Sequence, residues 1–571
     1  MFKLRRFLKD YKKECIIGPL CKLFEAILEL FVPLVMARII DVGIKNRDAV
    51  YVWKMGGLLV LLAVLGWSSA MFTQYFASKA SQGAGTKIRR ELFLHINSLS
   101  HAELDALGTP SLITRITNDT NTVQQSIAMM IRLLTRAPFI IIGSLVMAMT
   151  ISPRLSLIFF GAAVLIALTL YLVTSKSVPI FTKMQKKLDN IGLIARENLS
   201  GSRVIRAFSK QKAETARVDE ATGELAEITL RVSRLSALLS PVTYAVTDIA
   251  IILIVWYGAV NVNIGEMQTG DIVALVSYMT QILLAMIVVA NLVTLLNRTA
   301  ASAKRINEVF ETEPSVVEGS TETIAVDLSA PKIAFEHVCF NYSDDGDDEL
   351  SDLSFSVKRG STVGIIGSTG SGKTTLINLI PRFYDATAGC VRVDGRDVRD
   401  YSFAQLRGQI GMVPQQSILF SGSIRDNLRW QNKDAADSEL IRALKTAQAW
   451  EFVSKLPRGL DSRVEQGGRN FSGGQRQRLC IARALVKLPE ILILDDSFSA
   501  LDLATDAALR RALKETTEGL TVLIVTQRST TVRGADRILV LNDGTSAGYG
   551  THDELMESCE VYREIVASQE G

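Results

Sequence analysis

The sequence predicts an all-α membrane domain with six spans, followed by an α/β domain built around a P-loop. Long apolar stretches separated by charge-rich loops fill the chain up to about Arg298, and the remainder has the composition of a soluble protein. A strand-like segment, a glycine-rich loop and a helical segment follow one another in that second part. With 571 residues, the chain is too long for one compact core. We therefore expect a membrane domain (1–305), a linker (306–330) and a nucleotide-binding domain (331–571).

The composition supports this division. Apolar residues make up 48% and charged residues 21% of the chain, an average over a membrane part and a soluble part. The net charge of +4 is too small to indicate a nucleic-acid partner. The cysteines are scattered without a CxxC pair, so we predict reduced thiols and neither disulfides nor a zinc site.

Six stretches satisfy the requirement of about 20 mostly apolar residues for a membrane-spanning helix. A large soluble protein with buried helices is the alternative, but segments such as GLLVLLAVLGW are too long and too uniformly apolar for it. Before the first span, LRRFLKDYKKE predicts a short amphipathic helix at the membrane surface rather than a signal peptide. The predicted spans lie near 17–40, 56–78, 131–152, 155–175, 240–262 and 271–296.

Basic residues predict the orientation of the spans. They are concentrated before the first span and after the second, fourth and sixth, whereas the intervening loops are short. We therefore predict a multi-pass protein of the cytoplasmic membrane with both termini in the cytoplasm. The segments 79–130 and 176–239 have helical periodicity, which predicts long helices with turns near Gly108–Leu112 and Ala207–Lys212.

Some polar residues lie inside the predicted spans. Ionisable groups are costly in lipid and normally face a cavity or a partner helix. These residues therefore either line a substrate path or form hydrogen bonds between helices, and the sequence leaves both interpretations open. They are Glu25, Glu29, Asp248 and Gln281.

The second part contains GxxxxGK[ST] between a predicted strand and a predicted helix, the context that a P-loop requires. The glycines let backbone N–H groups surround phosphates, and the helix start adds a positive dipole. Lys373 is predicted to reach the β- and γ-phosphates of ATP, and Thr374 to offer a hydroxyl to Mg²⁺. The predicted phosphate-binding residues are Gly367, Ser368, Thr369, Gly370, Ser371, Gly372, Lys373, Thr374 and Thr375.

Two further motifs bear on the same chemistry. The run ILIL places Asp495 at the end of a predicted strand, where a carboxylate can hold Mg²⁺ directly or through water. Gly473 and Gly474 lie at the start of a predicted helix and form a second anion-binding surface. The P-loop binds its own nucleotide, so this surface is expected to bind a phosphate from elsewhere.

In this order, the P-loop, FSGGQ, Asp495 and Ser499–Asp502 resemble the motifs of the ATP-binding cassette (ABC) domain, and the six-span organisation is similar to that of bacterial multidrug and lipid exporters. The resemblance implies head-to-tail dimers in which each ATP lies between one chain's P-loop and the other chain's signature. It further implies that Tyr342 stacks on adenine, that Gln415 contacts Mg²⁺ and senses the membrane domain, and that the two turns are coupling helices. The signature and D-loop residues are Phe471, Ser472, Gly473, Gly474, Gln475 and Asp502.

Two positions depart from the family and both concern hydrolysis. Asp496 replaces the Glu that orients the attacking water, and a displacement near 1 Å can cost on the order of 10²-fold in rate. Gln527 replaces the switch histidine and cannot become an imidazolium. Gln466 also stands where the family usually has Glu. Harmless drift in a working ATPase is the weaker explanation of several losses in one catalytic function.

The sequence therefore predicts ATP-driven export of amphipathic, drug-like or lipid-like molecules by a heterodimer. The predicted partner of this chain is a second half-transporter with the intact Glu and His. The predicted cofactors are ATP and Mg²⁺. Three alternatives stay open: a slow homodimer that uses Asp496, a regulatory or gating subunit, and a siderophore-type importer on the same scaffold.

Overall fold

The computed structural model describes residues 2–319, 327, 329–342, 346, 348–516 and 519–570. The chain forms two compact units. The first comprises Met1–Asn97 and Thr109–Glu311, and the second Ser98–Gly108 and Thr312–Gly571. Residues 320–326 and 328 of the predicted linker lie outside the described residues.

The chain up to residue 311 is helical. Phe2–Tyr11 forms a 3₁₀ segment whose Leu4 and Phe7 are buried, in agreement with an amphipathic start. Helix starts follow local signals: the Ser152 hydroxyl accepts from the N–H of Leu155 at the beginning of α7. The α-helices are α1 (Lys12–Arg38), α2 (Ala49–Ser98), α3 (His101–Leu107), α4 (Thr109–Thr114), α5 (Thr120–Leu133), α6 (Arg136–Ile151), α7 (Pro153–Ser200), α8 (Ser202–Ala207), α9 (Gln211–Ala237), α10 (Leu239–Asn263) and α11 (Thr269–Glu311).

Five helical segments of the described chain are long and apolar enough to cross a membrane. They contain the second to sixth predicted spans. The first predicted span falls in α1, which is not among the five, and α1 contains Lys22, Glu25 and Glu29. The five segments are Ala49–Ser98, Thr109–Ile151, Pro153–Ser200, Gln211–Asn263 and Thr269–Glu311.

Small side chains and internal hydrogen bonds hold the helices of the first unit together. Ala26, Ala80 and Ala274 are fully buried where helices meet, as in membrane bundles that lack a hydrophobic driving force. Buried Tyr278 of α11 donates to the backbone carbonyl of Leu30 in α1 at 2.7 Å. Many other large apolar side chains, such as Trp67, Phe160 and Trp256, are exposed, as expected for a surface in contact with lipid.

The polar residues of the predicted spans have different surroundings. Glu29 of α1 accepts from Arg136 of α6 at 2.7 Å, and Ser144 of α6 donates to Gln281 of α11 at 3.4 Å. Glu25 pairs with Lys22 on its own helix, and Asp248 is exposed on α10. At Glu29 and Gln281, the structure thus shows bonds between helices.

The first of the two predicted turns, near Gly108–Leu112, lies at Gly108 between α3 and α4, where φ is +72°. The structure has a separate short helix before this turn, α3, for which Gly108 is the C-cap. A capping box formed by Ser100 and Glu103 starts this helix. The second turn also agrees with its prediction: α8 ends at Ala207, and α9 begins at Gln211.

The second unit is an α/β domain with two main sheets. One is antiparallel in the order β2-β1-β4-β5, and the other has the order β12-β11-β3-β10-β9-β6 with a parallel centre. The strands are β1 (Ile333–Phe340), β2 (Leu350–Val357), β3 (Thr362–Gly367), β4 (Ala388–Val393), β5 (Arg396–Asp397), β6 (Ile410–Val413), β7 (Gly422–Ser423), β8 (Arg463–Val464), β9 (Ile491–Asp495), β10 (Thr521–Thr526), β11 (Arg537–Asn542) and β12 (Thr545–Gly550). Its further helices are α12 (Lys373–Leu379), α13 (Phe403–Gly408), α14 (Ile424–Leu428), α15 (Asp437–Thr446), α16 (Trp450–Ser454), α17 (Gly473–Leu485), α18 (Leu503–Thr516), α19 (Ser529–Val532), α20 (His552–Ser558) and α21 (Glu560–Glu570).

The order of the parallel strands decides where the site lies. β10 lies between β3 and β9, and β6 pairs with the other side of β9. All four run in the same direction, so their carboxyl ends meet at one edge of the sheet. That edge brings together the segments that follow Gly367, Val413, Asp495 and Thr526.

Candidate nucleotide-binding site

A cavity of about 250 Å³ lies at this edge of the sheet. It brings together the P-loop, Gln415, Asp495 and two of the hydrolysis-related positions, Asp496 and Gln527, whereas Gln466 is not among its lining residues. These side chains come from segments more than 150 residues apart in sequence, and they meet because parallel strands end side by side. Its lining is Glu349, Thr369, Gly370, Ser371, Gly372, Lys373, Thr374, Thr375, Gln415, Asp495, Asp496, Val525, Thr526 and Gln527.

The P-loop backbone has the shape that its glycines permit. Gly370 and Gly372 have φ values of +83° and +87°, and a side chain at Gly372 would lie 2.6 Å from Leu350. Lys373 donates to the carbonyl of Gly367 at 3.0 Å and to the hydroxyl of Ser371 at 3.2 Å. Burial lowers the pKa of Lys373, while the neighbouring acidic groups oppose this shift. Phosphate oxygens are stronger partners for this ammonium than the loop's own carbonyls.

The oxygen-bearing residues fit Mg²⁺. The Thr374 hydroxyl lies 3.2 Å from a carboxylate oxygen of Asp495, and Gln415 lines the same cavity. Burial raises the pKa of Asp495, so a nearby cation would favour its ionised form. Mg²⁺ prefers oxygen ligands and usually keeps one or two carboxylates together with substrate phosphates. Bound there, it would neutralise charge on the β- and γ-phosphates.

Asp496 is the first residue after β9 and has a left-handed backbone conformation, with a φ of +44°. Its N–H donates to the carbonyl of Val525 at 2.9 Å, and its carbonyl accepts from the Ser499 hydroxyl at 2.9 Å. These contacts hold the backbone of Asp496 in place. The carboxylate of Asp496 is one methylene shorter than that of Glu and lines the cavity.

Gln527 follows β10 on the opposite wall. Its amide donates to the hydroxyl of Thr369 in the P-loop at 3.3 Å. An amide at this place can hydrogen-bond a γ-phosphate, but it supplies no positive charge. The site therefore combines the P-loop with Asp496 and Gln527 in one cavity.

Aromatic residues surround the predicted adenine position. Tyr342 is half exposed, and its hydroxyl lies 3.0 Å from that of Thr375 in the P-loop. The Tyr384 ring meets it edge to face at 5.3 Å and its hydroxyl donates to Asp105 of α3 at 2.8 Å. His101 of α3 stacks on Phe383 at 4.3 Å. Sequence reasoning missed Tyr384 and His101, for which no local motif exists.

The signature residues do not line this cavity. Ser472 and Gln475 form a capping box at the start of α17, and Phe471 is buried. Gly473 is exposed, and a methyl group added there would have no atom closer than 3.8 Å. Asp502 caps α18 by accepting from the N–H of Thr505 at 2.9 Å. Within the described chain, the signature thus forms a second surface apart from the P-loop cavity.

Comparison with known proteins gives matches over both units. The family described as ABC transporter transmembrane region matches residues 15–286, and the family described as ABC transporter matches residues 350–499. The ABC transporter ATP-binding protein YfiB of Bacillus subtilis (strain 168) is 39% identical, over all of this chain and 99% of its own.

Two further matches are to a named flippase and to a solved exporter structure. The ATP-dependent lipid A-core flippase of Vibrio parahaemolyticus is 28% identical, over all of this chain and 97% of its own. A bacterial Atm1-family ABC exporter solved with ATP bound has the same fold, with a TM-score of 0.79, 24% identity and coverage of 100% and 99% of the two chains. The chain belongs to the ABC transporter family, as an exporter-type half-transporter with a helical transmembrane region followed by an ATPase domain.

Proposed function

We propose that this chain is one half of a heterodimeric exporter that moves amphipathic, drug-like or lipid-like molecules out across the cytoplasmic membrane. Its own P-loop binds Mg²⁺ and ATP but hydrolyses ATP slowly. Its signature completes the site of a partner half-transporter that carries the Glu and His absent here. The observation that carries the proposal is the pairing of a complete P-loop with Asp496 and Gln527 in one cavity.

The asymmetry between the two surfaces supports a heterodimer. Asp496 is held by its backbone contacts, and Gln527 lacks the charge of an imidazolium, so each weakens hydrolysis at this chain's P-loop. The signature helix α17, by contrast, is capped at its start and carries Gly473 at its exposed end. A chain that retains the signature and loses the hydrolytic groups is useful to a partner whose own P-loop site is complete.

A lipid-like substrate is supported by the flippase among the relatives and by the large apolar surface of the helical unit. We propose that both termini lie in the cytoplasm, as the distribution of basic residues indicates. Transport into inside-out vesicles, driven by ATP, distinguishes export from uptake on the same scaffold.

ATP hydrolysis tests the division of labour. The chain alone is expected to be nearly inert, and co-expression with the partner should give activity that disappears when the partner's catalytic Glu becomes Gln. In the complex, Gly473→Asp here should abolish most activity because its carboxylate repels the phosphate at the partner's site. Gly473→Ala is the matched control, since the site has room for a methyl group.

Rapid ATP hydrolysis by the chain alone would contradict the proposal. If the chain hydrolyses ATP briskly alone and Asp496→Asn removes that activity, the heterodimer proposal is wrong and a homodimer that uses Asp496 replaces it. In the heterodimer, the double change Asp496→Glu with Gln527→His should instead raise the activity of the chain's own site.

A further inference from the structure

The residues after β10 carry the switch position, and side-chain contacts from three places tie Gln527, Arg528 and Ser529 to other segments. The Gln527 side chain donates to Thr369 of the P-loop at 3.3 Å. Arg528 donates to the backbone carbonyl of Ser499, in the turn after Asp496, at 3.1 Å. The third contact comes from Gln569, in the last helix described. The first two contacts involve parts of the nucleotide site, whereas the third does not.

Gln569 of α21 spans the switch segment with a single amide group. Its nitrogen donates to the backbone carbonyl of Gln527 at 2.7 Å. Its oxygen accepts from the N–H of Ser529 at 2.8 Å and from the Ser529 hydroxyl at 3.0 Å. The amide thus binds a carbonyl on one side of Arg528 and an N–H on the other. Such a two-ended contact fixes the peptide planes on both sides of the residue between them.

Helix α21 is itself anchored in the core. Tyr562 is fully buried, and Val566 is 3% exposed. The Tyr562 hydroxyl lies 2.9 Å from a ring nitrogen of His552 in the preceding helix. Tyr562, Val566 and Gln569 follow one another at helical spacing on one face. The face that buries the helix therefore also presents Gln569 to the switch segment, so its position is set by packing.

We infer that Gln569 is a positioning residue for the switch segment, which it orients so that Gln527 faces the γ-phosphate of ATP at this chain's P-loop. It acts through Gln527 and Ser529 and touches no nucleotide itself. The inference rests on the ATP-binding part of the proposed function and is independent of whether the transporter is a heterodimer. The affinity for ATP should depend on the Gln569 hydrogen bonds more than the affinity for ADP does, because ADP has no γ-phosphate for Gln527 to contact.

The test uses the full transporter and photolabelling of this chain with 8-azido-ATP, with ATP or ADP as competitor. Gln569→Ala should weaken ATP competition about 3- to 10-fold, the effect of one or two hydrogen bonds, and leave ADP unchanged. Gln569→Glu keeps the acceptor for Ser529 and loses the donor to Gln527, so a smaller loss is expected. Ser568→Ala is the matched control, since its exposed hydroxyl bonds only within α21.

Hydrogen exchange and a double variant complete the test. The Ser529 amide should exchange faster in Gln569→Ala and keep its protection in Gln569→Glu. Gln569→Ala should add nothing to the effect of Gln527→Ala, because both act through the same group. Equal weakening of ATP and ADP, additive losses, or unchanged exchange at Ser529 would each overturn the inference. A finding that the chain works as a homodimer overturns the proposed partner and leaves this test unaffected.

Discussion

Lys332 is a charged side chain with only 2% of its surface exposed. Its ammonium donates to Asp394 and Gln409 at 2.9 Å each and also pairs with Glu490. Asp394 is equally buried and also pairs with Arg359 at 2.7 Å. These groups lie before β1, after β4 and before β9, so the cluster ties the antiparallel sheet to the parallel one.

Lys332→Met should destabilise the second unit by about 3 kcal/mol, because it leaves Asp394 buried with one partner fewer. Scanning calorimetry of the purified protein measures the shift in melting temperature. Lys455→Met is the control, since its pair with Glu451 is exposed to solvent and contributes little to stability. Equal shifts in melting temperature in the two variants would show that the buried cluster contributes no more stability than the exposed pair.

Sequence reasoning identified some residues of the site and missed others for one physical reason. Lys373, Asp495 and Asp496 belong to local motifs, and the structure gathers them in one cavity with Gln527. Gln569 and Tyr384 act across long sequence separations, through contacts that only packing creates. A lone Gln or Tyr near no motif carries no signal in a single sequence.

Among the elements, α3 differs most from expectation. The sequence predicts a turn near Gly108–Leu112, and the structure places before it a helix that the capping box of Ser100 and Glu103 starts. The signal was present in the sequence as Ser-x-x-Glu. Its helix contacts the nucleotide-binding unit through His101 on Phe383 and through Asp105 on Tyr384.

The packing of α3 should weaken in acid. Partial burial of the His101 ring, followed by the charge of Arg407, lowers the pKa of His101 below its ordinary 6.5. The undocked helix therefore binds more protons than the docked one below pH 6.5, so docking is fully favoured above that pH and is lost as the pH falls towards the lowered pKa. Amide exchange in α3, corrected for intrinsic rates, should be faster at pH 5.5 than at pH 7.5.

The variant His101→Phe separates this titration from other effects of acid. Its ring can still stack on Phe383 and carries no proton. Exchange in α3 of the variant should therefore not change with pH beyond the intrinsic rates. An equal acid response in both proteins would assign the effect to another group.

At the scale of the whole molecule, the number of spans depends on α1. Five helical segments of the described chain are apolar enough to cross a membrane, and α1 carries Lys22, Glu25 and Glu29. The pairs Lys22–Glu25 and Glu29–Arg136 reduce the cost of these charges in lipid. We therefore expect six spans, with both ends of the chain on one side of the membrane.

Cysteine accessibility measures this topology. In a background without native cysteines, Lys9→Cys and Glu557→Cys should both react with an impermeant maleimide in inside-out vesicles. Arg47→Cys, in the loop after α1, should react only from the other side. Labelling of Lys9→Cys and Glu557→Cys from opposite sides would show that α1 does not cross.

The class of the fold was predictable from sequence because hydrophobic length and P-loop spacing are local properties. The six-stranded order with β10 between β3 and β9 was not, since it depends on pairing between distant segments. Yet that strand order brings the separate motifs together in one site.

The same strand order has a consequence for how such a site changes over evolutionary time. Asp496 and Gln527 lie beyond the ends of buried strands, and neither side chain belongs to the hydrophobic core. Substitutions there alter turnover while the fold keeps its stability, so chaperones and proteases, which respond to unfolding, would not remove the protein. Hydrolytic activity at such a site can thus change without loss of the folded chain from the cell.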